Sequence, residues 1–297
     1  MALITVNFFS SALMRTVPVN VILPVDKQEV PVGDDGSTSS YRPNVPEGGF
    51  KTLVLLHGIF GNYTDWVSGS CIQRWAEERD LAVIMPSGDN RFYLDQPASH
   101  DYYGRFVGEE LVEMARAMFP LSRERADTFI GGLSMGGYGA LRCGLRYPET
   151  FSHIASLSGA LLVDDVAART DDADRYFSTR RFSEAVYGDL STLVGSERDP
   201  LWLAEQLAAS REPLPKVYLA CGQSDGLLAA SRTARQRLDE LGFEVTYREA
   251  PGGHNWAFWN EAIEQVVSWL PLGQAHPGVN SGNVGLEDVD EPARGEM

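Results

Sequence analysis

The sequence predicts an α/β fold: a mainly parallel central sheet with helices on both faces, entered through an N-terminal antiparallel hairpin. Three observations carry that prediction. Residues 52–56 and 81–85 are continuous apolar runs, the pattern expected of parallel strands buried on both faces. Strand-like and helix-like segments alternate along the chain, as they do where parallel strands are joined by right-handed helical crossovers. Finally, residues 128–137 read as a strand turning sharply into a helix around a single serine, Ser134.

The elements follow in order. Ile4, Val6 and Phe8 alternate with other residues, so residues 3–9 and 16–23 are predicted to be paired antiparallel strands. Residues 26–49 are rich in Gly, Pro, Ser and acidic side chains, lack periodicity and are read as a surface loop. The strand 52–56 ends in His57 and Gly58, a helix follows at 71–79, then the strand 81–85 and an amphipathic helix at 108–119. After the strand at 128–130 comes a helix at 138–147, stopped by Pro148, and a strand at 153–157. Residues 161–215 break the rhythm and read as a helical insertion or cap. The alternation resumes with strands at 216–221 and 244–248 and helices at 227–241 and 257–270. Residues 1–273 are expected to form one catalytic domain, and 274–297 a disordered acidic tail.

Composition removes several classes of partner. With 25 basic against 41 acidic residues, the formal charge is −16, which repels nucleic acid and anionic membrane surfaces. No apolar run reaches transmembrane length, and residues 1–11 look like a strand rather than a signal peptide, so a cytoplasmic location is expected. Cys71, Cys143 and Cys221 are too few and too scattered for a disulfide framework or a thiolate metal site. The histidines lack ligand spacing, no dinucleotide fingerprint occurs, and the glycines around Ser134 lack the lysine that a phosphate loop needs. Neither a metal nor a cofactor is predicted.

The chemistry is predicted to centre on Ser134. Gly132 and Gly136 flank it at the spacing of a nucleophile elbow, where a bulky side chain two positions away would block the turn. A serine hydroxyl needs a base and an orienting carboxylate, and in folds with this elbow these follow in the order Ser, Asp or Glu, His. Asp225, after the strand 216–221, and His254, after the strand 244–248 and the lead Pro251, Gly252, Gly253, satisfy that order. Among the other histidines, His276 lies in the tail, His153 opens a strand and His100 sits in a polar loop. His57 is the rival, but its place at a strand end suits stabilising a loop by hydrogen bonds. The backbone N–H groups of Met135 and Ile59 are the predicted oxyanion donors.

On these residues the chain resembles the tributyrin esterase group of the esterase D family of α/β-hydrolases, related to feruloyl esterases and S-formylglutathione hydrolases. The likeness runs through the opening hairpin, residues 57–66, 101–104, 132–141, 221–225 and 252–259. It implies the α/β-hydrolase fold, Ser134, Asp225 and His254 as the triad, Ile59 and Met135 as oxyanion donors, and short-chain acyl esters as small-molecule substrates, acetylated or feruloylated carbohydrates among them. Phe60, Trp66 and Trp256, beside these motifs, are candidates to line the substrate pocket, whereas Trp259 reads as core. Three other readings stand beside the esterase: acyl transfer of the mycolyl-transferase type, S-formylglutathione hydrolysis, and a non-catalytic binding protein on a hydrolase fold. Self-association into a homo-oligomer through the hairpin edge is a further expectation.

Overall fold

The computed structural model describes residues 1–27, 43–173 and 175–276. Strands β1 (Ala2–Ser10) and β2 (Arg15–Leu23) form the antiparallel hairpin. β3 (Lys51–Leu56) and β4 (Leu81–Pro86) follow, separated by helices α1 (Asp65–Gly69) and α2 (Ile72–Glu78). A two-residue ribbon, β5 (Asp95–Gln96) with β6 (Asp101–Tyr102), leads into α3 (Tyr103–Arg105) and α4 (Leu111–Met118). Then come β7 (Thr128–Leu133), α5 (Met135–Arg146) and β8 (His153–Leu157). α6 (Val163–Ala167), α7 (Arg180–Tyr187) and α8 (Pro200–Ala208) make up the insertion. β9 (Lys216–Gly222), α9 (Leu228–Glu240), β10 (Val245–Ala250) and α10 (Trp256–Trp269) close the chain.

Eight strands form one sheet in the order β1-β2-β4-β3-β7-β8-β9-β10. β2 meets β4 antiparallel, and every pairing from β4 to β10 is parallel. The alternation of side chains along each strand divides the interior into two layers. Val54, Leu56, Ile130, Ile154, Val217 and Leu219 face one layer with α4, α5, α8 and α9. Leu53, Leu55, Phe129, Ala155, Leu157 and Tyr218 face the other with α2 and α10. Among the described residues, no helix is long and apolar enough to cross a membrane.

Most predicted elements fall where expected, with shifts at their ends. α5 begins at Met135 rather than 138, because Ser134 is its N-cap and a first turn holding Gly136 and Gly137 has little helix propensity of its own. The predicted helix 108–119 is α4 preceded by a π-helical turn, Phe106–Glu110. That turn aims the Glu110 carboxylate at the hairpin, where it accepts from the N–H of Ser11 at 2.7 Å, the N–H of Ala12 at 3.3 Å and the hydroxyl of Ser10. Most of the predicted surface loop, 28–42, and the tail from 277 onward lie outside the described residues.

The insertion is tied to α5, the helix behind Ser134. Arg142, fully buried on α5, donates through Nε to the Glu197 carbonyl at 3.2 Å, and the Tyr138 hydroxyl donates to the Arg198 carbonyl. Arg198 in turn donates to the carbonyls of Tyr187 and Thr192, gathering the end of α7 and the turn after it.

His153, at the start of β8, is buried between the rings of Phe129 and Trp269, with Nδ1 2.9 Å from the Ser152 hydroxyl. Burial, reinforced by Lys216 and Arg125, lowers its pKa to about 4. The unfolded chain takes up a proton near the ordinary histidine value of about 6.5, and the folded chain does so only near 4, so this group contributes stability above that window that is lost as pH falls through it. His153→Gln, which cannot protonate, is therefore expected to lose less stability than the wild type between these limits. The difference should be of order 1–2 kcal/mol once partial solvent access is allowed for. Denaturant melts at pH 7 and pH 4.5 measure it.

Candidate active site

Ser134 stands on the turn between β7 and α5 with φ +53° and ψ −116°, a conformation that L-residues rarely adopt and that surrounding contacts must enforce. Its N–H donates to the Leu157 carbonyl at 2.9 Å, and its carbonyl accepts from the N–H groups of Tyr138 and Ala160, both at 3.0 Å. The two flanking glycines explain why the turn can close. A Cβ on Gly132 would stand 2.4 Å from the Gly136 carbonyl oxygen, and one on Gly136 would stand 2.3 Å from the Leu56 carbonyl oxygen.

Asp225 and His254 reach Ser134 from the two loops beyond β9 and β10. The loops are joined by the Ser224 N–H, which donates to the Gly252 carbonyl at 2.9 Å. Asp225 is buried, and both of its carboxylate oxygens have partners: Oδ1 accepts from the Leu227 N–H at 2.9 Å, and Oδ2 lies 2.9 Å from His254 Nδ1. His254 Nε2 is 2.9 Å from Ser134 Oγ. A carboxylate can only accept, so Nδ1 carries the proton and Nε2 is left to accept from the serine hydroxyl. The three residues singled out in the sequence are thus one hydrogen-bonded chain whose imidazole remains partly open to solvent.

The loop after β3 supplies the other part of the site. His57 is buried, which lowers its pKa and keeps it neutral. Its Nε2 accepts from the Gly88 N–H at 2.8 Å, so its Nδ1–H donates to the Gly58 carbonyl at 2.6 Å. Tyr93 donates its hydroxyl to the His57 carbonyl at 3.0 Å, and the Phe60 N–H donates to Asn90 Oδ1 at 2.8 Å. Those bonds fix the backbone on both sides of Ile59, whose N–H, like that of Met135, is used in no hydrogen bond among the described residues. His57 therefore braces the loop, as its position at a strand end suggested. Tyr93 and Asn90 could not have been picked out, since their roles depend on contacts about 30 residues or more away in sequence.

The aromatic candidates separate. Trp66 does not line a pocket: it is 1% exposed, and its indole N–H donates to the Leu56 carbonyl at 3.0 Å, so it supports the end of β3 from inside the core. The sequence showed its proximity to the motif but not the side of the backbone on which its ring lies. Trp256 packs edge to face against Trp66 with centroids 5.3 Å apart and is partly covered. Phe60 is 57% exposed. Trp259 is core, as expected, yet it also touches the site, standing 4.8 Å from the His254 ring at 87° with its indole N–H donating to Ser158 Oγ at 3.2 Å.

A strained serine at a strand-to-helix turn, with its histidine and carboxylate on the loops after the last two strands of a largely parallel sheet, defines an α/β-hydrolase. Residues 10–270 match the model of the family described as "Putative esterase", and the chain belongs to that esterase family. It is 40% identical over 270 residues to an acetyl esterase of Caldicellulosiruptor saccharolyticus, covering 91% of this chain and 98% of that one. Among solved structures it is similar to the fluorophosphonate-binding serine hydrolase FphF of Staphylococcus aureus, with TM-score 0.75, 29% identity and 91% and 98% of the two chains covered. It is also similar to the S-formylglutathione hydrolase FrmB of that organism, with TM-score 0.71, 30% identity and the same coverage.

Proposed function

We propose that the protein is a serine carboxylesterase that removes short acyl groups, acetyl foremost, from alcohols, with Ser134 as nucleophile, His254 as general base and acid, and Asp225 as the carboxylate that orients it. The observation that carries this reading is the unbroken chain Asp225 Oδ2, His254 Nδ1, His254 Nε2, Ser134 Oγ, with both links at 2.9 Å. The 40% identity to an acetyl esterase over nearly the whole of both chains supports the acetyl assignment.

The steps follow from that geometry. Ser134 Oγ attacks the ester carbonyl carbon as its proton passes to His254 Nε2, and the carbonyl oxygen becomes an oxyanion that accepts from the N–H groups of Ile59 and Met135. The bond to the alcohol oxygen then breaks, His254 gives its proton to that oxygen, and the alcohol leaves an acyl-Ser134 ester. Water, deprotonated by His254, attacks the acyl carbon. The carboxylic acid departs and Ser134 regains its proton. Asp225 stabilises the imidazolium formed in each half without taking its proton. We also place the protein in the cytoplasm, a reading supported by three free cysteines, one of them exposed.

The test is active-site labelling joined to a substrate profile. A fluorophosphonate probe is expected to modify Ser134 stoichiometrically and to abolish turnover, with acetyl esters hydrolysed faster than butyryl, feruloyl or S-formylglutathione substrates. Folded protein left unlabelled at Ser134 would overturn the reading. Transfer of the acyl group to an added sugar in preference to water would replace hydrolysis by acyl transfer.

A further inference from the structure

His254 is held less firmly than its hydrogen bonds suggest. It immediately precedes Asn255, the N-cap of α10, on a loop that carries Gly252 and Gly253, and its side chain is 38% exposed. That side chain is bonded to Asp225 through Nδ1 and to Ser134 through Nε2. The second of these bonds does not last through the reaction. Once Ser134 Oγ has become an acyl ester it has no proton to share, so Nε2 must be aimed at the incoming water by whatever else touches the ring.

Trp259 supplies that contact. It lies in the first turns of α10, its N–H donating to the Asn255 carbonyl at 3.2 Å, and side chains on a helix lean back over the preceding turn, here toward His254. The two rings stand 4.8 Å apart at 87°, within the range of a favourable aromatic pair. The indole is itself pinned, since Trp256 packs against it at 5.5 Å and 89° and its N–H donates to Ser158 Oγ at 3.2 Å. Ser158 is fully buried and held at φ +47° directly after β8, with its own N–H donating to the Ala220 carbonyl at 2.7 Å. A serine in the left-handed region persists only where its surroundings enforce it. The neighbours of Ser158 hold the nucleophile: the Leu157 carbonyl accepts from the Ser134 N–H, and the Ala160 N–H donates to the Ser134 carbonyl. Residues 157–160 therefore fix the backbone of Ser134 and, through Trp259, the ring that lies against its base.

We propose that Trp259 is a positioning residue for His254, anchored by Ser158, and that it keeps Nε2 directed at the reacting atoms when the Ser134 hydrogen bond is absent. The proposal rests on the esterase reading and adds to it two residues outside the triad. It separates the two halves of the reaction. During acylation the bond between Ser134 and His254 still orients the imidazole, whereas deacylation depends on Asp225 and Trp259 alone.

The experiment follows nitrophenol release from p-nitrophenyl acetate in rapid-mixing and steady-state measurements, which report acylation of Ser134 and deacylation separately. In Trp259→Leu the deacylation rate is expected to fall about 10- to 100-fold and the acylation rate by less than about threefold, so that acetyl-Ser134 accumulates and is found by mass spectrometry. Ser158→Ala frees the indole but leaves the core filled. It should slow deacylation about three- to tenfold, and add nothing in the Trp259→Leu background, where the ring it anchors is gone. It also decides the matter by itself where Trp259→Leu does not fold. Equal slowing of both steps in folded variants, deacylation at the wild-type rate, or a Ser158→Ala loss of the same size in both backgrounds would overturn the proposal. Wild-type protein that releases no nitrophenol would instead overturn the esterase reading beneath it.

Discussion

Ser134→Ala is expected to lower kcat for acetyl esters by about 10⁶-fold with the thermal unfolding midpoint close to that of the wild type. The size follows from the unity of the site. Without Oγ there is nothing for His254 Nε2 to deprotonate, and the chain of 2.9 Å bonds that positions imidazole and carboxylate loses its purpose. His254→Gln should cost nearly as much, since residues acting as a unit are not additive. Asp225→Asn should lose about 10⁴-fold, because an amide in place of Oδ2 favours the tautomer with the proton on the wrong nitrogen. Single-turnover and steady-state rates on a chromogenic acetyl ester, paired with melting curves, measure all three. A loss of only a few-fold in folded Ser134→Ala would mean that water attacks the ester directly.

The second large effect concerns the backbone. In Gly136→Ala the new methyl would meet the Leu56 carbonyl oxygen at 2.3 Å, and the His57 carbonyl oxygen stands at 2.6 Å. Both atoms belong to the main chain at the end of β3, so relief requires moving either the strand or the elbow. Overpacking against rigid neighbours costs about 1–3 kcal/mol and more where side chains cannot yield, and a value of about 3 kcal/mol or above is expected here. Activity should fall by at least about 10²-fold in whatever protein folds, since a shift near 1 Å between Ser134 and its donors removes the alignment. Gly226→Ala is the contrast. Its new Cβ would meet nothing within 4 Å, and stability should change by less than about 1 kcal/mol. Denaturant titrations of the two variants decide the point; equal stabilities would show that the elbow is more pliant than its contacts indicate.

Legibility in the sequence followed the range of the interactions. The strands of the parallel sheet were readable because burial on both faces demands unbroken apolar runs, and β8 falls where 153–157 placed it. β10 was predicted to end at 248, yet it continues to Ala250 because Glu249 and Ala250 pair with Cys221 and Gly222 of β9. Nothing local to residues 244–248 announces that register. The π-helical turn at Phe106–Glu110 was hidden for a similar reason, since its value lies in aiming Glu110 at a hairpin about 100 residues earlier.

The site shows the same division. Order along the chain and the small residues around Ser134 were enough to select Ser134, Asp225 and His254, because an elbow constrains its immediate neighbours and its partners must follow in sequence. Side-chain direction was another matter. Trp66 and Phe60 lie six residues apart beside the same motif, but one supports Leu56 from within the core and the other stands in water. Local sterics and the need to bury apolar runs set the strands, the elbow and the order of the three residues that meet at it, so these are legible along the chain. It takes the packed fold to bring His57, Tyr93 and Asn90 together to brace the loop that carries Ile59, and to return the insertion to Phe60. Those contacts join segments distant in the chain, and the energy that selects them exists only once the layers have packed.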